Sequence, residues 1–283
     1  MNNLGFHCHG LGDFDKAIVT NGLKRGEFYN FPTVDLPELR EMIVQHELAT
    51  SIHSPLERMP WYHSPPTYTF LCDMDEKKRD ISLKMIEDTM KKAQEFEVDY
   101  VVVHFPTPKS RDSYGATYDE LFQIAWQSAG TLAEMAETYE TDIHIEGFGP
   151  SPFLNTYFIE KVITEFPSLR YCFDVGHMHI AADQFGFDFY EFTKDMAPYV
   201  GSVHLWNTRG MDDYLAYRHI PVHPSQDSQE GWGNIPRVLQ LLLAENPSCS
   251  IILESSLQYP RELGGYDIRE GVEWVKGIID DLS

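Results

Sequence analysis

The chain has 283 residues, 42% of them hydrophobic, and carries 44 acidic against 22 basic side chains for a formal charge of -22 at pH 7. That length suits one large domain or two small ones, and the charge repels phosphate backbones and anionic lipid surfaces. No basic run offsets it, so no nucleic-acid partner is expected, and no stretch nears the ~20 apolar residues of a membrane span. Four cysteines (Cys8, Cys72, Cys172, Cys249) are scattered without a C-x-x-C pair, the usage of small buried thiols in a reducing compartment. Residues 1–7 carry neither a basic nor an apolar leader region, and the expected location is cytoplasmic.

In chain order, residues 4–9 alternate and predict a first strand, whereas residues 10–36, rich in Gly, Asn and Pro, predict a loop with at most one short helix. Residues 37–48 predict a helix with Pro37 in its first turn. Strand 49–53 follows and ends in His53-Ser54-Pro55, before an aromatic loop holding Trp61, Tyr62, His63, Tyr68 and Phe70. Helix 75–97 shows Ile81, Met85, Ile86, Met90, Ala93 and Phe96 at helical spacing. Next come strand 99–105, a polar loop 106–117, helix 118–140, strand 142–146, a Gly/Pro turn 147–152 and helix 153–166. Strand 169–174, helix 187–197 and strand 200–206 lead to a short helix at 211–217 and a weak strand at 219–223. Helix 234–245, strand 250–255 and a last helix 269–281 close the chain. Eight strands alternating with helices, with no linker or composition break, predict an α/β fold: one closed (β/α)8 barrel spanning residues 1–283.

The organising stretch is Tyr171-Cys172-Phe173-Asp174-Val175-Gly176-His177, a buried strand that ends in an acid with Gly and His just beyond. Other apolar runs end alike: Val101-Val102-Val103 in His104, Ile143-His144-Ile145 in Glu146, Gly201-Ser202-Val203 in His204, and Ile251-Ile252-Leu253 in Glu254. In such barrels the chemistry sits at the C-terminal strand ends. A single acid there more often caps a helix; Glu146, Asp174, His204 and Glu254 in one register point instead to a divalent metal. Three carboxylates and one imidazole form an open, hard-leaning donor set that suits Mn²⁺, Co²⁺, Mg²⁺ or Zn²⁺. His53, His104 and His177 stand at further tips, where hydrogen bonding to a substrate, or a satisfied loop histidine, outweighs metal ligation.

The pieces Ile52-His53-Ser54-Pro55, Val102-Val103-His104, Ile145-Glu146, Cys172-Phe173-Asp174-Val175-Gly176-His177, Val203-His204-Leu205 and Leu253-Glu254 together resemble the xylose-isomerase-like TIM barrel superfamily. That group holds sugar isomerases and epimerases and the endonuclease IV group. The resemblance covers nearly the whole barrel, and its most specific element is Asp-x-Gly-His after a hydrophobic strand. It implies that Glu146, Asp174, His204 and Glu254 hold one divalent metal, with His177 contacting substrate or a further ion. In the sugar branch it implies an isomerase or epimerase in which Glu146 and Glu254 move a proton through a metal-stabilised enediolate. The substrate would be a small sugar, sugar acid or sugar phosphate, and homo-oligomers are expected from the resemblance alone. In the endonuclease branch a multi-zinc cluster adds ligands, here His53 and His104 for one zinc and His177 and His219 for another. The aspartate that branch places two residues before His219 is Tyr217 here, and the acidic charge weakens a phosphodiesterase further. A barrel that binds a sugar without turning it over is a third alternative.

Other side chains are candidates for contacting the substrate. Trp206 and Arg209 follow His204, and Arg209 suits a hydroxyl, carboxylate or phosphate; Lys109 is a weaker candidate of the same kind. His7 and His9 form an H-x-H as in metal-dependent amidohydrolases, but no strand tip offers the bridging lysine, so His7 is assigned to the pocket wall. Trp61 and Tyr62 are candidates to stack on a sugar face. His219 and His223 are both open as pocket residues and extra ligands. His144, two residues before Glu146, points into the barrel and reads as a structurally bonded histidine below the site.

Overall fold

Every strand is short, four to six residues, and each pairs in parallel with its neighbours in sequence. In the computed structural model, which describes residues 3–106, 115–147, 153–154 and 156–282, the strands are β1 (Leu4–Cys8), β2 (Arg25–Phe28), β3 (Ala49–His53), β4 (Tyr100–His104), β5 (Asp142–Glu146), β6 (Leu169–Asp174), β7 (Val200–Leu205) and β8 (Ser250–Leu253). Pairing of β8 with β1 closes the sheet into a (β/α)8 barrel. Among the helices packed outside are α1 (Leu11–Phe14), α2 (Leu36–His46), α3 (Glu76–Ala93), α4 (Tyr118–Thr138) and α5 (Thr156–Glu165). The second half adds α6 (Val175–Phe185), α7 (Phe189–Met196), α8 (Met211–Tyr217), α9 (Ile235–Glu245) and α10 (Ile268–Leu282). Local chemistry starts them: Asp75 caps α3, a reciprocal Thr117–Glu120 capping box opens α4, and Asn234 caps α9. No described helix is long and apolar enough to cross a membrane. Lys109 and most of the Gly/Pro turn at 147–152 lie outside the described residues.

The eight strands are not the eight expected. Residues 219–223 form no strand; Ile220 makes only an isolated antiparallel bridge to Asn207. The missing strand is β2, inside the stretch expected to be a loop. Its sequence Arg25-Gly26-Glu27-Phe28 looks polar, yet all four residues are buried. Alternation along the strand sends Gly26 and Phe28 out against Ile18 and the helices, and Arg25 and Glu27 into the barrel. There Arg25 pairs with Asp99 at 2.6 Å, and Glu27 accepts from Ser51 and His204. The helix over 175–185 was also not anticipated; it begins directly after Asp174, which caps it.

Polarity is therefore divided by layer. The large apolar core lies between strands and helices, built from residues such as Val101, Val103, Ile143, Ile145, Phe173, Val203 and Leu239. Among the described residues, the barrel interior holds a small separate apolar cluster, Tyr100, Val102 and Cys172. Beside it His144 stacks on Tyr100 at 3.9 Å and shares a 2.8 Å hydrogen bond with the Ser202 hydroxyl. The segment 219–223 is held from outside instead of by a sheet. A Cβ added at Gly271 of α10 would lie 2.0 Å from the Val222 carbonyl oxygen. Replacing Gly271 with Ala should cost roughly 1–3 kcal/mol through that overlap, read as a lowered urea midpoint; an unchanged midpoint would show that α10 is not pressed on this segment.

Candidate metal centre

The C-terminal ends of β5, β6, β7 and β8 bring Glu146, Asp174, His204 and Glu254 together, with one donor atom of each lying within 4.8 Å of the others. Glu146 and Asp174 end their strands, His204 is the next-to-last residue of β7, and Glu254 sits one residue past β8. The His204 Nδ1 is 3.4 Å from Glu146 Oε1 and 3.1 Å from Glu254 Oε2. Both His204 Nδ1 and Glu254 Oε2 are buried, and neither has a hydrogen-bond partner. Buried polar atoms are seldom left unpaired, and these two face each other.

The far side of the imidazole explains its orientation. His204 Nε2 donates to Glu27 Oε1 at 2.8 Å, and both groups are fully buried. With Nε2 carrying that proton, the Nδ1 lone pair is turned toward Glu146 and Glu254. A carboxylate behind a histidine is the usual means of fixing tautomer and ring angle at a metal. Asp174 is held at both oxygens: one accepts the His177 backbone N–H at 2.6 Å and the other accepts the Trp206 indole N–H at 3.0 Å. Gly176 is needed for that packing, since a Cβ there would fall 2.3 Å from the Trp206 ring. The Asp-x-Gly-His run thus combines a candidate ligand, a helix cap and a seat for the indole.

Electrostatics support the same assignment. Burial opposes charge on Glu146 and Glu254, but the surrounding imidazoles, His204 first, hold both carboxyls well below their ordinary range. Asp174 goes the other way, pushed up to about 8 by burial and by the charges of Glu146 and Glu254. Burial likewise opposes charge on His204, yet Cys172, Glu27, Glu254 and Glu146 raise it well above the ordinary imidazole value. The cluster therefore holds protons that a divalent ion would displace, as metal sites do. The donor chemistry, the unpaired lone pairs and the excess negative charge all fit a divalent cation.

A second group adjoins the first. His53 Nε2 and His104 Nε2 are 3.1 Å apart and lie 3.3 and 3.2 Å from Glu146 Oε2. The opposite nitrogen of each faces a backbone carbonyl, Ser54 for His53 at 3.2 Å and Thr67 for His104 at 2.6 Å. His7 stacks on His53 at 5.4 Å and His204 at 6.2 Å, with its Nδ1 3.3 Å from Glu254 Oε1. On the other flank, His219 lies flat on Trp206 at 4.2 Å and its Nδ1 donates to the Glu254 carbonyl. His177 approaches both rings edge-on.

Other expected participants lie elsewhere. Arg209 makes a two-point ion pair with Asp213, at 2.7 and 3.0 Å, and covers Trp232 outside the cleft lining. His223 is turned away: it stacks on Tyr266 at 4.0 Å and bonds to Ser225 and Glu270, so it is not positioned as a ligand. Trp206 is fully buried beneath His219 and acts through Asp174. Trp61 borders a separate surface groove with Lys91 and Lys92, and the Tyr62 hydroxyl is tied to Tyr68 and Ser82, so neither covers the site. Glu27 and Tyr29 were missed because β2 was read as loop; a charged residue alternating with Gly and Phe was the available signal.

A family model described as xylose isomerase-like TIM barrel matches residues 10–278. The chain belongs to that family. A search of curated proteins finds no match to it. Among solved structures, a D-tagatose 3-epimerase-like protein superposes with a TM-score of 0.72 at 18% identity, covering 99% of this chain and 98% of its own. The 3-keto-D-glucoside 4-epimerase YcjR of E. coli gives 0.67 at 15% identity over 98% and 100%. The IolI protein with a bound zinc atom gives 0.68 at 17% identity over 99% and 97%. At such identities the likeness is one of fold. In this xylose isomerase-like barrel, Glu27→Gln should weaken zinc affinity about 10–100-fold while leaving the fold intact. Competition with a chromophoric chelator measures it, and undiminished affinity would remove Glu27 as the group that orients His204.

Proposed function

We propose that the chain is a divalent-metal-dependent isomerase or epimerase of a sugar or sugar derivative, with Glu146 and Glu254 as its proton-transfer pair. The observation that carries this is the convergence of both carboxylates on His204 Nδ1, at 3.4 and 3.1 Å, beside a cleft of about 650 Å³ that Glu254 lines. Glu146, Asp174, His204 and Glu254 would hold the ion. When bound, a divalent ion draws electron density from a substrate carbonyl and makes the neighbouring C–H more acidic. One carboxylate takes the proton from that carbon, and the other, carrying a proton, returns one to the opposite face. Asp174, fixed by His177 and Trp206, keeps its place while the glutamates change protonation. The similar folds of a D-tagatose 3-epimerase-like protein and a 3-keto-D-glucoside 4-epimerase support this chemistry.

A second reading rests on one observation, the facing Nε2 atoms of His53 and His104 beside Glu146 Oε2. Two imidazoles whose opposite nitrogens both face carbonyl oxygens have lone pairs left to share, which suits a second ion and a phosphodiesterase. The charge of -22 and Tyr217 in place of an acid count against a nucleic-acid substrate. Metal content and hydrogen exchange separate the two. About one ion per chain, with solvent deuterium entering a ketose, supports the epimerase; removing the metal with EDTA, or Glu254→Gln, should then lower exchange at least 100-fold. Two or three tightly held zinc ions with cleavage of an abasic-site duplex would support the phosphodiesterase instead. Tight ketose binding without exchange would leave a sugar-binding barrel.

A further inference from the structure

The cleft beside Glu254 differs in charge from the rest of the surface. Elsewhere several basic side chains are paired with acids, as in Lys84–Asp88 at 2.6 Å, Lys91–Glu87 at 2.8 Å and Arg209–Asp213 at 2.7 Å. Two cations line the cleft, Lys16 from the segment after β1 and Arg218 from the end of α8. Among the described residues neither has a carboxylate within ion-pair distance, although Asp13 lines the same cleft. Lys16 is exposed. Ser255 and Gln258 line the same cleft with neutral polar groups.

The backbone at Arg218 supplies an independent observation. Its φ of 62 and ψ of -134 fall where only glycine sits without strain. The turn is required because α8 must end and the next residue, His219, must lie flat on Trp206 and donate to the Glu254 carbonyl. Glycine would make that turn without strain. An arginine there, with its guanidinium 5.5 Å from the Tyr214 ring centre, keeps a cation at the cleft against a local stability cost.

We infer that the substrate is an anionic sugar, bearing a carboxylate or phosphate away from the reacting carbon, and that Lys16 and Arg218 hold that group. This rests on the cleft being the sugar site. A guanidinium fork and an ammonium match an oxyanion, whereas a neutral polyol leaves both cations without a carboxylate or phosphate partner.

Calorimetry on the metal-loaded protein, without turnover, tests the inference with D-fructose, D-fructose 6-phosphate and D-fructuronate, which differ only at C6. One of the anions should bind at least tenfold more tightly than D-fructose, and its identity distinguishes phosphate from carboxylate. Lys16→Gln and Arg218→Gln should each remove most of that preference. Arg218→Gly should lower anion affinity yet raise Tm by about 2 °C or more by releasing the strain; a purely structural Arg218 would leave anion affinity unchanged. If neither anion binds more tightly than D-fructose, or the preference survives both glutamine variants, the inference falls. Anion preference without hydrogen exchange would sustain it while removing the epimerase assignment, and exchange without anion preference would do the reverse.

Discussion

Like charges forced together in a dry space govern this molecule. Glu146, Asp174 and Glu254 converge at the barrel mouth with Glu27 just behind His204; Glu27, Glu146 and Asp174 are buried from water and Glu254 borders the cleft. Coulomb repulsion between such groups is tolerated only with compensation. The structure provides it in three ways: imidazoles interleaved with the acids, a proton retained on Asp174, and an arrangement of lone pairs suited to a cation.

The barrel makes that concentration affordable in structural terms. Because the main apolar core lies outside the strands, the interior can carry Arg25, Glu27, Ser51, His53, His144 and Ser202 without emptying the core. Each interior polar group then supports the next layer. Ser51 bonds Glu27, Glu27 bonds His204, and His204 faces the carboxylates. On the β6 side the support comes through Trp206, which holds Asp174 and provides the surface on which His219 lies. The rigid strands carry the acids, while the segments after β1 and α8 carry the cations of the cleft. That division suits a fold in which chemistry stays fixed and loops adjust the ligand.

Much of this was legible in the sequence. The strand tips were, because an apolar run ending in His, Asp or Glu shows itself within five or six residues, and its repetition around the chain gave both the barrel and the four converging donors. Helix α3 was visible from its periodicity, and helices α4 and α10 were placed at residues 118–140 and 269–281. The short helix α8 was placed at residues 211–217. What was not legible was whatever a residue owed to a distant partner. Arg25 and Glu27 looked like surface charges, because burial of a charge is decided by Asp99 and His204, far away in sequence. Residues 219–223 looked like a strand from β-branched and aromatic-like spacing, but α10 and the Trp206 stack hold them outside the sheet.

The sequence by itself determined the alternation of strands and helices, the closed parallel architecture it implies, and the positions of Glu146, Asp174, His204 and Glu254 at strand ends. Local hydrophobic pattern specifies those features, and period and length can be read without knowing any neighbour. Only the tertiary structure decided which histidine faces the cleft, that Arg209 is spent on Asp213 while Arg218 is not, and that Glu27 stands behind His204. Those are facts of pairing. A charged side chain acquires its role from the group opposite it, and closure of the barrel is what brings β2 and β7 within hydrogen-bond reach.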